Sequence, residues 1–147
     1  MTPLEYSNKL ARISDTMYSM GRNWTTTLMN IRAQKRYSAL KPIRLDLEAF
    51  ITRKISELEN DPDVKGSMAL KTAMLQFLDF EKEYVHGAFS GVEQMNAATT
   101  DAEEQATINK LIDASDKEKQ YLEKLQKAQY DYAQKNNFII HVDSKPQ

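Results

Sequence analysis

The 147-residue chain has 41% hydrophobic residues, no cysteine and a formal net charge of −1. Without cysteine it can form no disulfide, thiolate metal site or thiol nucleophile, and a near-zero net charge provides no overall field that would attract nucleic acid. Gly and Pro are scarce, at four each, while residues that favour helices are abundant, so the composition predicts an all-α fold.

The first helix is predicted over residues 3–36. Thr2 can cap its start, Pro3 suits the first helical position, and Glu5 completes the pattern in which orphan amides are satisfied reciprocally. The apolar positions that follow recur at steps of three and four, which indicates one buried stripe. These positions are Tyr6, Leu10, Ile13, Met17, Met20, Trp24, Leu28 and Ile31.

Two further helices are predicted over residues 42–59 and 67–96. Pro42 restarts the chain as a helix, residues 60–63 form a turn, and Ser67 can cap the third helix. Gly87 and Gly91, spaced as GxxxG, indicate a close approach between helices or a bend. The broad apolar face of the third helix contains Leu70, Met74, Phe77, Phe80, Tyr84, Ala88 and Met95.

A fourth helix is predicted over residues 101–136, because Thr100 and Glu103 form a capping box before another apolar stripe. That stripe contains Ile108, Leu111, Ile112, Leu122, Leu125 and Tyr132. Residues 137–147 are expected to form a short extended C-terminal tail packed on the helices. Short connections make neighbouring helices antiparallel, so the sequence predicts a single domain, 1–147, folded as an up-down-up-down antiparallel four-helix bundle.

Glu83 and His86 have the E-x-x-H spacing by which some helical bundles hold iron. Di-iron bundles need this motif on two helices and a further glutamate on each of the other two, whereas here it occurs once. Both residues also fall on the face of the third helix opposite its apolar stripe. The sequence therefore predicts an exposed Glu and His, with no metal site and no cofactor.

Three polar residues interrupt the predicted core. Glu81 lies within the apolar face of the third helix, and Ser115 and Glu118 lie in the stripe of the fourth at a similar height. Burying a lone carboxylate is costly, so we expect a cationic partner or a shared proton. The cations at about that level are Arg32, Lys35 and Arg44. These residues form a predicted polar layer across the core, for which three interpretations remain. The layer is a carboxyl pair for general acid catalysis, a buried ion pair that fixes the register of the helices, or a set of glutamates whose carboxylates reach solvent between two helices.

The cations between Arg32 and Arg44 occur without an acidic residue among them, but the topology places them opposite Asp101, Glu103 and Glu104. We therefore expect no nucleic-acid binding. Tyrosines of the first and last helices are expected to lie near one another as an aromatic rim, a feature that often marks a protein interface.

Three stretches carry a family resemblance: PLEYSNKL, MALKTAMLQFLDFEKEYV and YAQKNNFII. Together they resemble a family of small helical surface lipoproteins of unknown function from Gram-negative bacteria. The resemblance implies a mature domain in the cell envelope, tethered by a lipid on an N-terminal Cys. The chain contains neither that Cys nor a signal segment, so membrane association is expected only through an anchor outside this chain. If Met1 is the native start, the protein is expected to be cytoplasmic.

Three functions remain open from the sequence. The first is a noncatalytic cell-envelope interaction or structural module with an unknown protein partner. The second is a cytosolic bundle that pairs with another helical protein. The third is an enzyme or ligand carrier that uses Glu81 and Glu118. Because the chain has no Gly-rich phosphate loop and no Ser nucleophile near a histidine, we predict that it is not an enzyme.

Overall fold

In the computed structural model, which describes residues 1–140, the chain is all-helical, with four helices and no β-strand among those residues. The prediction of an all-α, four-helix fold is confirmed. One hydrophobic core takes side chains from all four helices, including Tyr6, Leu10, Leu47, Ile51, Leu70, Met74, Leu78 and Leu125. Within residues 1–140, no helix combines the length and the apolar character needed to cross a lipid bilayer.

Helix α1 spans Pro3–Ile31 and has the predicted start. The Thr2 hydroxyl oxygen accepts a hydrogen bond from the Glu5 amide at 3.1 Å. Further along, the Thr25 and Thr27 hydroxyls donate to backbone carbonyls one turn earlier, at 3.1 and 2.8 Å. These bonds satisfy the hydroxyl groups inside the helix, so the threonine run does not interrupt it.

The prediction that the first helix continues to about residue 36 is wrong. After α1 come a 3-10 turn at Arg32–Gln34, a left-handed residue, Lys35 (φ 52°), and a second 3-10 turn at Tyr37–Leu40. Tyr37 and Leu40 are both buried in the core. A straight helix would carry these side chains away from the core, so their burial requires the chain to turn.

Helix α2 spans Lys41–Glu59 and follows the second turn directly, with Pro42 at a position where a missing amide costs no hydrogen bond. In the loop after α2, the Asp63 carboxylate accepts a hydrogen bond from the Gly66 amide at 3.0 Å. Ser67 precedes the next helix but does not cap it. Its hydroxyl oxygen instead accepts a hydrogen bond from the Val64 amide at 2.9 Å.

The third helix consists of α3 (Met68–Tyr84), a π-helical turn (Val85–Phe89) and α4 (Ser90–Glu93). It ends before residue 96, the predicted end, because the Asn96 amide donates to the Thr99 hydroxyl oxygen at 2.8 Å and the chain turns there.

The GxxxG pair lies around this π-helical turn. A Cβ atom added at Gly87 or Gly91 would meet nothing within 4 Å, so a close helix approach at these glycines is not observed. The irregularity is the π-helical turn itself, where the Ser90 hydroxyl donates to the Gly87 carbonyl at 3.0 Å. Such turns insert one extra residue into a helix and often occur near functional sites.

Helix α5 spans Asp101–Lys135 and starts with the predicted capping box between Thr100 and Glu103. At its end, Asn137 is left-handed (φ 58°) and the Phe138 amide donates to the Ala133 carbonyl at 3.0 Å, the bonding pattern of a Schellman motif. Residues 138–140 have no regular secondary structure. The rest of the predicted tail, 141–147, lies outside the described residues.

Helix α5 is packed unevenly. None of residues 101–124, which we call its N-terminal segment, is buried, whereas Leu125, Tyr132 and Ala133 are. Within the predicted stripe, Ile108 and Leu111 are half-buried and Ile112 is 51% exposed. The predicted apolar positions therefore do lie on a helix, but over the first two thirds of this helix they are half-buried or exposed.

Two groups of long-range contacts lie at the two ends of α1. In the first, the Tyr6 and Tyr132 ring centroids lie 6.3 Å apart and the Lys9 ammonium is 2.8 Å from Asp61. In the second, the Arg32 guanidinium is 3.0 Å from Glu104. Between these groups, the Trp24 ring of α1 stacks on Phe89 of the π-helical turn, with centroids 3.9 Å apart.

Candidate functional site

Glu81 lies at the interface between α3 and α5. Its Oε1 atom is buried and has no hydrogen-bond partner in the described part of the chain. One residue earlier, the Phe80 ring stacks on Tyr121 of α5, with centroids 4.8 Å apart, which brings the two helices together at this level. The apolar pattern of α3 thus places a carboxyl group where apolar side chains pack.

Glu118 of α5 is the acidic neighbour of Glu81, as the sequence predicts. Burial and, after it, the Glu118 carboxyl group raise the pKa of Glu81 to about 10. Glu81 is therefore protonated at neutral pH, because an ionised carboxylate there would lose its hydration without gaining a cation. Ser115, one turn before Glu118, is half-buried, and no hydrogen bond joins it to either carboxyl group in residues 1–140.

Tyr84 is a further member of this polar layer, and sequence reasoning missed its role. Burial, and then the charges of Glu118 and Glu81, raise its pKa to about 12. The hydroxyl group donates to the Leu111 carbonyl at 3.4 Å, so it bridges α3 and α5. The sequence contains one signal of this role: Tyr84 follows Glu81 by three residues and therefore lies on the same face of the helix.

The predicted cationic partners lie elsewhere. Arg32 pairs with Glu104 and Arg44 with Glu93, while Lys35 is exposed in the first loop. The structure therefore contradicts the expectation that Arg32, Lys35 or Arg44 neutralises the carboxyl pair. The physical reason is the early end of α1, which leaves Arg32 and Lys35 in the loop beyond it, and the closer carboxylates available to Arg44.

A second polar cluster surrounds Arg44, at the start of α2. Its Nη2 donates to Glu93 Oε2 at 3.2 Å and its Nη1 to Glu48 Oε2 at 3.0 Å, with a further contact from Nε to Glu93. The Glu93 side chain is 5% exposed and that of Arg44 10%. The hydrogen bond to Glu93 is the largest cause that raises the pKa of Arg44. The sequence indicates the Arg44–Glu48 pair by its four-residue spacing but gives no sign of Glu93, 49 residues away.

His86 joins this cluster from the π-helical turn. Its Nδ1 lies 3.0 Å from Glu48 Oε1, and its side chain is 79% exposed. Glu83, the other residue of the E-x-x-H motif, is exposed. Among residues 1–140, no three His, Cys, Asp or Glu side chains are grouped so that they could hold a metal ion.

Neither Glu81 nor Glu118 lines either of two surface grooves in the described part of the chain. One groove, of about 320 Å³, is lined by Gln76, Asp79, Phe80, Glu83, Tyr121 and Lys124. The other, of about 230 Å³, is lined by Gly66, Ala69, Leu70, Lys127, Ala128, Asp131, Tyr132 and Lys135. A substrate bound in either of these two grooves would therefore not contact Glu81 or Glu118. The pair holds a proton, but it does not present that proton to a ligand in these grooves.

No known protein-family model matches the sequence, and neither a curated protein nor a solved structure is significantly similar to it. The resemblance to surface lipoproteins therefore gains no support from these comparisons.

Proposed function

We propose that the protein is a noncatalytic helical bundle that works by binding another protein. The observation that carries this proposal is the uneven packing of α5. None of residues 101–124 is buried, and within one turn of this segment the apolar side chains of Ile108, Leu111 and Ile112 are half-buried or exposed. A partner helix could cover this face by placing its own apolar stripe against it, as helix-in-groove interfaces do.

The proposal includes the course of the helices. We propose that they run up-down-up-down, each antiparallel to its neighbours in sequence. The contact of Tyr6 with Tyr132 and that of Arg32 with Glu104 support this order, because they join the start of α1 to the end of α5 and the end of α1 to the start of α5.

Site-specific photocrosslinking tests the binding proposal. A photoreactive amino acid replaces Ile112 on the α5 face, or Arg53, whose side chain on α2 is 62% exposed, as a control, and the protein is expressed in its native host. We expect one discrete crosslinked protein from position 112, none from position 53, and loss of that product on adding Ile108→Asp, because Ile108 is half-buried beside Ile112 and lies outside the core cluster. Equal labelling from both positions, or none from position 112, would contradict the proposal.

We propose further that this binding takes place in the cell envelope, with the chain attached to the membrane by a lipid anchor that precedes it. The resemblance of its three sequence stretches to surface lipoproteins supports this proposal. Expression of the gene from its natural start codon, followed by detergent partition and intact-mass measurement, tests it. A detergent-phase product with a diacylglyceryl mass is expected. An aqueous product that begins at Met1 would favour the alternative, a cytoplasmic protein that binds a helical partner.

A second candidate is an enzyme or ligand carrier built on Glu81 and Glu118. The raised pKa of Glu81 favours it, because a carboxyl group that is protonated at neutral pH can act as a general acid. The absence of both residues from the two grooves argues against it. A screen with chromogenic ester, phosphate and glycoside substrates tests this candidate. Turnover that Glu81→Gln abolishes without loss of helicity would favour catalysis over binding.

A further inference from the structure

The N-terminal segment of α5 is attached by contacts that leave it only partly buried. Leu111, Tyr121 and Leu122 pack against the core without being buried, and Glu104 pairs with Arg32 at 3.0 Å. Its specific contacts with α3 include the stack of Tyr121 on Phe80 and the 3.4 Å hydrogen bond from the Tyr84 hydroxyl to the Leu111 carbonyl. The C-terminal part of α5, residues 125–135, is fixed more firmly, because it contains all three buried residues of the helix. The Tyr132 hydroxyl in that part also donates to the Val64 carbonyl at 2.6 Å. The N-terminal segment of α5 is therefore attached less firmly than residues 125–135.

The carboxyl pair lies close to the boundary between these two parts. Glu118 is seven residues before Leu125, the first buried residue of α5. Glu81, opposite it on α3, has a buried oxygen without a hydrogen-bond partner among the described residues. Two ionised carboxylates at this interface would repel each other, and the Glu81 carboxylate would lose its hydration, whereas one proton on the pair removes one of the charges.

We propose that Glu81 and Glu118 form a proton-dependent clasp that holds the N-terminal segment of α5 against α3. Closing the clasp requires one proton on the pair. When the Glu81 O–H bond breaks and the proton passes to solvent, both carboxylates become hydrated and residues 101–124 separate from α3, while residues 125–135 remain attached. This regulation rests on the proposed function, because the segment that opens carries the apolar side chains proposed to bind a partner.

Among residues 1–140, the groups that face Glu81 and Glu118 include no cation, so a proton is what neutralises one of the two carboxylates. From α3, Tyr84 faces the pair, and its pKa of about 12 keeps it uncharged while Glu81 titrates. From α5, the facing group is Glu118 itself. In the described part of the chain, no charged side chain of α1 or α2 acts on Glu81, since Arg32 and Arg44 are paired with other carboxylates.

Amide hydrogen exchange, followed by mass spectrometry between pH 6 and 9, tests the clasp. After correction for the intrinsic chemistry of exchange, protection of residues 105–122 should fall about tenfold per pH unit, because each opening releases one proton. Peptides from residues 125–135 should keep their protection. In Glu81→Gln, whose amide mimics the protonated acid, this pH dependence should disappear, whereas Glu83→Gln, on the exposed face, should behave as wild type.

Three results would overturn the proposal. Protection could be lost in all helices together, which would mean that the pair affects global stability alone. It could be independent of pH in the wild type, or its pH dependence could persist in Glu81→Gln. If Glu81→Gln does not fold, Glu81→Met, with an unbranched apolar side chain of similar length, provides the same comparison. The hydrogen-exchange result does not depend on the crosslinking experiment at Ile112. Failure of the proposed clasp and failure of the proposed binding function can therefore be distinguished.

Discussion

Replacement of Glu81 by Gln should stabilise the protein increasingly as the pH rises. The unfolded chain releases the Glu81 proton near the usual pKa of 4.5, whereas burial and Glu118 raise the pKa in the folded state. Above pH 4.5 the folded state therefore binds one proton more than the unfolded state, so its stability falls as the pH rises. One proton corresponds to about 1.4 kcal/mol per pH unit, and because the unfolded carboxyl group is not yet fully ionised at pH 5, the loss between pH 5 and pH 7 is about 2.5 kcal/mol.

Urea denaturation followed by circular dichroism at pH 5, 6, 7 and 8 measures this loss. The difference in unfolding free energy between wild type and Glu81→Gln cancels the other titrating groups, and Glu83→Gln serves as the control. The difference should grow by about 1.4 kcal/mol per pH unit as long as the N-terminal segment of α5 stays packed on α3. It should stop growing at the pH where this segment opens. Parallel curves for wild type and Glu81→Gln would refute the reasoning, because they would mean that Glu81 titrates alike in both states.

The same denaturation assay tests three other parts of the structure by substitution. Arg44→Met should cost about 3–5 kcal/mol because it leaves the buried Glu93 carboxylate unpaired, and adding Glu93→Met should restore most of this loss. Thr100→Ala should cost about 1 kcal/mol because it removes the N-cap of α5, although an effect below measurement would indicate that this end is already frayed. Asn137→Ala should cost about 1 kcal/mol because Ala tolerates the left-handed conformation poorly, whereas Asn137→Gly should be neutral or stabilising.

The carboxyl layer combines a feature that the sequence indicates with one that it does not. Glu81 and Glu118 could be identified because each interrupts an apolar stripe, and a stripe is a property of residues three and four positions apart. Their neutralisation could not be predicted from spacing. Shared protonation in place of an ion pair depends on which cations the loops bring near, and Arg44 lies instead among carboxylates from α2 and α4.

The same distinction applies to the helix boundaries. The starts at Thr2 and Thr100 follow from capping patterns within four residues, and the structure contains both. The end of α1 at Ile31 has no such local signal. It follows from the burial of Tyr37 and Leu40, which turns the chain back toward the core.

The sequence by itself therefore determined the all-α class, the four helices, the caps of the first and last helices and the polar residues within the apolar faces. These features depend on backbone hydrogen bonds and side-chain periodicity over one or two turns. Tertiary structure alone decided where α1 ends, the ion cluster of Arg44, the π-helical turn and the weak burial of the N-terminal segment of α5. Each of these depends on which surfaces distant helices can reach and bury, and that is set by packing across the whole core and not by any short stretch of the chain.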